Sequence, residues 1–366
     1  MAPVASQPAE PSGDIPSLTS IRGLAAFWVV LVHVHPALPL LLPEAAFLDR
    51  FIDAGTFAVP LFFILSGYVL GLRYRSQFRT WNSGQVLRFL WLRIARIYPV
   101  HLLTLLASVA LATRHGWPDD PGHSVGSLVA NLLLVHAWPP HFRLSWNYPS
   151  WSISSEWFAS LLFPFLALAL TRSSRAVVRG LLPAALVLSA LVYALESRLP
   201  FRGLAVVLPT FAGGVLLSIL CPPSPGSGRA GVHAGFGLLA VAAIPYLLPP
   251  GPAQAVAFLL LYFFVIRSLG IAGAAAGSFW NARWTVYLGE ISYALYLSHG
   301  ITVTLMDRFL PFKRLETAGL PLRAAALCGF LLAILGAAAA LHHGFERPLR
   351  ELARRRRTPR ATVPST

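Results

Sequence analysis

The sequence predicts an all-α polytopic membrane protein with about ten transmembrane helices and both termini in the cytoplasm. Composition is the first reason. Of 366 residues, 56% are hydrophobic and only 12% charged, with a mean hydropathy of +0.64. A soluble domain carries roughly 25% charged residues. The second reason is that the apolar residues gather in blocks of about 17–25, the length that crosses ~30 Å of hydrocarbon as helix. The third is that basic residues crowd alternate loops between the blocks, the signature of a membrane-threaded chain. The length alone would admit two soluble domains; the blocks argue for one membrane domain.

The apolar blocks run from Leu18 to Leu42, Gly55 to Leu72, Ile97 to Ala112, Trp151 to Leu170 and Gly180 to Leu195. The second half continues with Leu204 to Leu220, Val232 to Leu248, Pro252 to Leu269, Trp284 to Met306 and Leu320 to Leu341. Val125 to Trp138 is also apolar but too short to span, and reads as re-entrant or interfacial. One set of alternate loops is arginine-rich, from Arg73, Arg75, Arg79 and Arg88 through Arg172, Arg175 and Arg179 to Arg229, Arg267 and Arg283. The other is mixed or acidic, with Glu44, Asp49 and Asp53 against Arg50, Asp119 and Asp120 against Arg114 and Arg143, and Glu196 against Arg198 and Arg202. Its last member sets Asp307 and Glu316 beside Arg308, Lys313 and Arg314. The positive-inside rule puts the arginine-rich set and both termini in the cytoplasm, which requires an even number of spans. Residues 1–15 read as a disordered cytoplasmic tail without the basic n-region of a signal peptide. Residues 16–348 form the transmembrane domain, and residues 349–366 a basic cytoplasmic tail whose run from Arg354 to Arg357 suits lipid headgroups.

The formal charge of +15 raises the question of nucleic acid. The basic residues sit mostly in short loops between apolar blocks, the pattern of topology determinants, so no nucleic-acid partner is expected. Cys221 and Cys328 stand in different segments and provide neither a disulfide framework nor metal spacing. No metal site is expected.

Charges inside the apolar blocks cost about 2.5–3.5 kcal/mol each at a helix centre, so each needs a reason. Arg22 and His33 share the first block. Eleven residues of helix rise about 16.5 Å and bring the two within ~20° of one face. An arginine snorkelling beside an unrelated packed histidine is the plain alternative. His35 points away from His33 and reads as a wet interfacial residue. Glu156 lies about a turn and a half inside the fourth block with no basic residue within a helical turn, so it wants a partner from another helix. His299 falls at a matching depth in the ninth block. His33, Glu156 and His299 are thus expected in one layer toward the outside. Trp151 and Ser152 open the fourth block on that side, where they also fit an aromatic belt and a helix cap. Arg93, Arg96 and Tyr98 open the third block at the cytoplasmic face. There the arginines serve either topology or, through their planar forks, phosphate binding. Ser66-Gly67, near mid-membrane, suits either a substrate path or small-residue helix packing.

These residues fall into a familiar order. Leu18-Thr19-Ser20-Ile21-Arg22-Gly23-Leu24 with His33, Phe62 to Tyr68, Arg96-Ile97-Tyr98-Pro99, Trp151-Ser152 to Glu156, Gly289-Glu290-Ile291-Ser292-Tyr293 to His299, and Phe345-Glu346-Arg347-Pro348 resemble successive motifs of the acyltransferase-3 membrane proteins. The resemblance spans about Pro16 to Pro348. Trp157 stands where many members have a second acidic residue, and Ser298 where many have Trp. The resemblance implies transfer of an acyl group, commonly acetyl, from cytoplasmic acyl-coenzyme A to a hydroxyl of a carbohydrate-type or other small acceptor in a bacterial inner membrane. Acyl-coenzyme A would be a substrate and no cofactor is held permanently. On this reading Arg22, Arg93, Arg96, Tyr98 and Ser66 serve the donor. His33 acts as general base with Glu156 and His299 in supporting roles, and Trp151 and Ser152 face the acceptor. An acyl-histidine relay is the mechanistic alternative. A proton-coupled transporter or flippase is the functional one, since buried His and Glu suit proton coupling as well.

Overall fold

The computed structural model describes residues 15–38, 43–114, 121–138, 144–195, 201–223, 228–275, 277, 279–309 and 311–355. The expected N-terminal tail and the end of the basic C-terminal tail lie outside these, as do Asp119, Asp120, Arg143, Glu196 and Arg198. Among the described residues the chain is helical throughout and no strand occurs. The main helices are α1 (Pro16–Val34), α2 (Ala58–Tyr74), α3 (Ser83–Thr113), α4 (Val125–Leu132), α5 (Trp151–Thr171), α6 (Arg175–Leu195) and α7 (Arg202–Leu220). They continue with α8 (Gly228–Leu247), α9 (Pro252–Ala272), α10 (Arg283–Glu290), α11 (Ser292–Phe309), α12 (Leu320–Leu341) and α13 (Arg347–Arg355).

Nine segments among the described residues are long and apolar enough to cross a membrane. The expected tenth, Trp284 to Met306, is two helices, α10 and α11, joined by a turn at Ile291. The break has a physical cause in α1. Arg22 donates from Nε and Nη2 to the carbonyl oxygen of Gly289 at 3.2 and 2.7 Å, and Ser292 Oγ donates to it at 2.7 Å. Side chains thereby satisfy a carbonyl at the end of α10 that the helix leaves open. α11 nevertheless runs alongside α1, with Ser292 against Arg22 at one end and His299 against His33 further along.

The third span also differs. It begins at Ser83 rather than near Ile97, because Asn82 caps it by accepting from the Gln85 backbone N–H. Arg93 therefore sits ten residues into a 31-residue helix, about 15 Å from its start, instead of at its mouth. The apolar 125–138 stretch is the eight-residue α4 followed by a turn, held to α3 by Tyr98 and His101 and to α5 by Ser154. It is too short to cross.

α1, α2, α7 and α9 form the interior, while α6, α8 and α12 are peripheral. The peripheral helices leave Val187, Leu239 and Leu332 about two-thirds exposed. Apolar side chains facing outward are expected where the surrounding solvent is lipid. The tightest crossing is α2 on α7. A Cβ placed on Gly67 would collide with the Phe211 carbonyl, and one on Gly214 with the Ile64 carbonyl. Gly67 is thus a helix-packing residue, while Ser66 beside it donates to Glu156.

Candidate active site

His33 ends α1 in its last turn and meets His299 of α11. Two carbonyl groups set their tautomers. His33 Nδ1 is 2.9 Å from the Val29 carbonyl and His299 Nδ1 is 2.7 Å from the Tyr296 carbonyl. Carbonyls only accept, so each Nδ1 carries its proton. His299 Nε2 is then a lone-pair acceptor and receives a second share of the His33 Nδ1–H at 3.2 Å. His33 Nε2 is left as a lone pair with no partner among the described residues.

A cavity of about 360 Å³ opens in front of it, lined by His33, Thr56, Tyr148, Trp151, Tyr193, Arg202 and Tyr296, with Val29, Val32, Phe57, Val59, Pro149 and Val206. Tyr148 packs its ring 4.9 Å from His33. Trp151 is therefore part of this wall. Ser152 is buried behind it and donates to Tyr296 Oη at 2.9 Å, fixing a cavity tyrosine instead of facing the cavity itself.

Glu156 takes its partners elsewhere. Its Oε1 accepts from Ser66 Oγ of α2 at 2.7 Å and forms an ion pair with Arg93 of α3. The carboxylate thus finds the cross-helix cation that its burial demanded. Among the described residues it makes no bond to either histidine. The same neighbourhood holds Tyr293 of α11, which donates to the Ile97 carbonyl at 2.5 Å and lies within the fields of Glu346, Glu156, Arg96 and Arg93. Glu346 accepts from buried His342 at 2.8 Å across a π-helical turn, a distortion frequent at functional sites. Arg96 is half-buried, and no ion pair among the described residues engages it. The site thus has two parts on one helix. α11 carries Tyr293 in an inner ion cluster and His299, six residues or about 9 Å further, at the cavity.

The remaining expected residues are placed as follows. Arg22 holds the α10–α11 break, as above. Tyr98 donates to the Leu132 carbonyl at 3.0 Å and secures α4. His35 pairs with Asp49 at 3.0 Å and Asp53 at 2.7 Å. Tyr148 and Tyr193 escaped the sequence reading; Arg202 reads there only as a loop charge, and Tyr293, Tyr296 and Glu346 stand inside the motifs without a role. Tyr296 lies one helical turn before His299 on the same face, and that spacing was the available signal. No group of three His, Cys, Asp or Glu side chains among the described residues suits a metal ion.

The acyltransferase domain of the acyltransferase-3 family matches residues 15–342. The chain is similar to acyltransferase MdmB of Streptomyces mycarofaciens, 29% identical over 96% of this chain and 95% of that protein. It also resembles protein 2 in the picA locus of Rhizobium radiobacter, 31% identical over 38% of this chain and 75% of that one. No solved structure matches it. These likenesses favour group transfer over the transport alternative. A multi-pass helical chain with paired histidines at a cavity, matched by one family over most of its length, belongs to the acyltransferase-3 membrane acyltransferases.

Proposed function

We propose that this enzyme moves an acyl group, commonly acetyl, from cytoplasmic acyl-coenzyme A to a hydroxyl seated in the cavity at His33, with His33 as general base. The observation that carries this is the tautomer lock, which leaves His33 Nε2 as a lone pair beside a cavity large enough for a small ligand. The acceptor hydroxyl donates to Nε2. As its oxygen attacks the thioester carbonyl, the proton passes to the imidazole, the C–O bond forms and the C–S bond breaks. The imidazolium then returns the proton to the leaving sulfur, giving free thiol and an ester. His299 Nε2, accepting from the opposite nitrogen of His33, stabilises the charged ring during this cycle.

Glu156 is on this reading a positioning residue for Arg93 rather than for the imidazole. Arg96, without an ion pair among the described residues, is the better candidate of the two arginines for the donor's anionic groups. The aromatic faces of Tyr148, Trp151, Tyr193 and Tyr296 support a ring-shaped, hydroxylated acceptor such as a sugar. The arginine-rich loops support a cytoplasmic donor side and residence in a bacterial inner membrane. His33→Ala is expected to lower acceptor-dependent release of thiol from acetyl-coenzyme A by about 100-fold or more, with membrane insertion unchanged. Activity close to wild type would remove His33 from the mechanism.

A further inference from the structure

At the arginine-rich end, the ends of α2, α5 and α7 and the start of α6 enclose a second cavity, of about 440 Å³. Arg75, Arg79 and Arg175 line it together with Ser76, Thr171 and Ser173. Arg75 is half-buried and close enough to Arg79 for the two charges to act on each other. No ion pair within the described residues reaches any of the three arginines. Nor do the stretches of sequence that line it supply one, and Glu156, further along α5, is taken by Arg93. The sequence has no Asp or Glu between Asp53 and Asp119, between Glu156 and Glu196, or between Glu196 and Glu290. Every residue that lines the cavity falls inside those gaps. Topology alone needs positive charge in the loop, and exposed residues such as Arg172 and Arg229 provide it. It does not call for three arginines lining one concavity, where like charges oppose each other.

We propose that this cavity binds a phosphate-bearing anion, with Arg75, Arg79 and Arg175 as its ligands. Guanidinium forks match phosphate oxygens in shape and charge. The hydroxyls contribute less, because Thr171 donates to the Leu168 carbonyl at 2.9 Å and Ser173 to the Ala169 carbonyl at 3.0 Å. The phosphate has two sources of the same chemistry, the nucleotide end of an acyl-coenzyme A or an anionic phospholipid headgroup. Arg75 caps the end of α2 nine residues beyond Ser66, about 13.5 Å along the helix direction. A nucleotide phosphate held there leaves an extended thioester arm to reach the Ser66–Glu156–Arg93 cluster. That arm of the proposal rests on the function proposed above; the anion site itself does not.

The full chain in phosphatidylcholine nanodiscs tests this, with the wild type beside Arg79→Gln/Arg175→Gln, which alters two exposed residues. Arg172→Gln/Arg229→Gln removes the same charge from the same end and serves as control. One arm titrates coenzyme A against phosphate-free adenosine. The other replaces part of the lipid with phosphatidylglycerol and reads the rise in melting temperature. At least one arm should show saturable binding that adenosine does not match, or lipid-specific stabilisation. The cavity variant should weaken it at least tenfold or abolish it, and the control should retain it. Inorganic pyrophosphate should displace the effect in the wild type. Silence in both arms, equal loss in both variants, or indifference to pyrophosphate would each overturn the site. A protein that binds the anion yet releases no thiol keeps this site and loses the acyl-transfer function instead.

Discussion

His33 uses one nitrogen for two contacts and keeps the other for the cavity, an economy that depends on its position in the last turn of α1. Glu156 shows the opposite arrangement, with its charge consumed by Ser66 and Arg93. Side chains of this pair are 19% and 9% exposed, so removing one charge strands the other in a poorly hydrated place. Glu156→Gln is therefore expected to cost about 3 kcal/mol, read as a fall in melting temperature of the purified protein. Arg93→Met/Glu156→Met should recover most of that loss, since it leaves no orphaned charge. The sequence made the need for a partner legible at Glu156, because no cation lay within a helical turn of it. It did not make Arg93 legible as that partner. Arg93 looked like the mouth of a helix, since apolar periodicity starts only after it, whereas the cap that starts α3 is a single Asn82 side chain. Depth counting put Glu156 in one layer with the histidines, whereas its bonds to Ser66 and Arg93 set it in the cluster of Tyr293, six residues along α11 from His299. It carried no information on which way a side chain turns about a neighbouring helix.

At the scale of elements, seven of the ten expected spans are continuous helices close to their expected limits, because length and hydropathy are written locally. α1 starts where expected and ends at Val34, and its expected end at Leu42 lies outside the described residues. Two more, α3 and the α10–α11 pair, have limits set by side-chain bonds, one from a cap and one from another helix. No local window contains the second of these. The α2–α7 crossing is a similar case, visible beforehand only as a choice between packing and a substrate path. Gly67→Ala should push the two backbones apart and cost about 1–3 kcal/mol. Gly235→Ala on peripheral α8, where an added methyl meets nothing within 4 Å, should change stability by no more than about 0.5 kcal/mol. Thermal unfolding of both variants in one detergent checks the contrast. Equal losses would show that the crossing yields to an extra carbon.

At the scale of the whole molecule, the two cavities differ in their walls, with Arg75, Arg79 and Arg175 around one and His33, Tyr148, Trp151 and Arg202 around the other. The orientation expected from the arginine-rich loops is open to labelling. In a background with Cys221 and Cys328 replaced by Ser, Thr56→Cys should react with a membrane-impermeant maleimide on intact cells. Arg79→Cys should react only after permeabilisation, and the reverse pattern would invert the threading. The two cavities have no lining residue in common. A molecule filling one leaves the walls of the other untouched, so compounds directed at the two ends need not exclude each other. Inhibitors could then be built independently against each, and their effects would combine without direct competition.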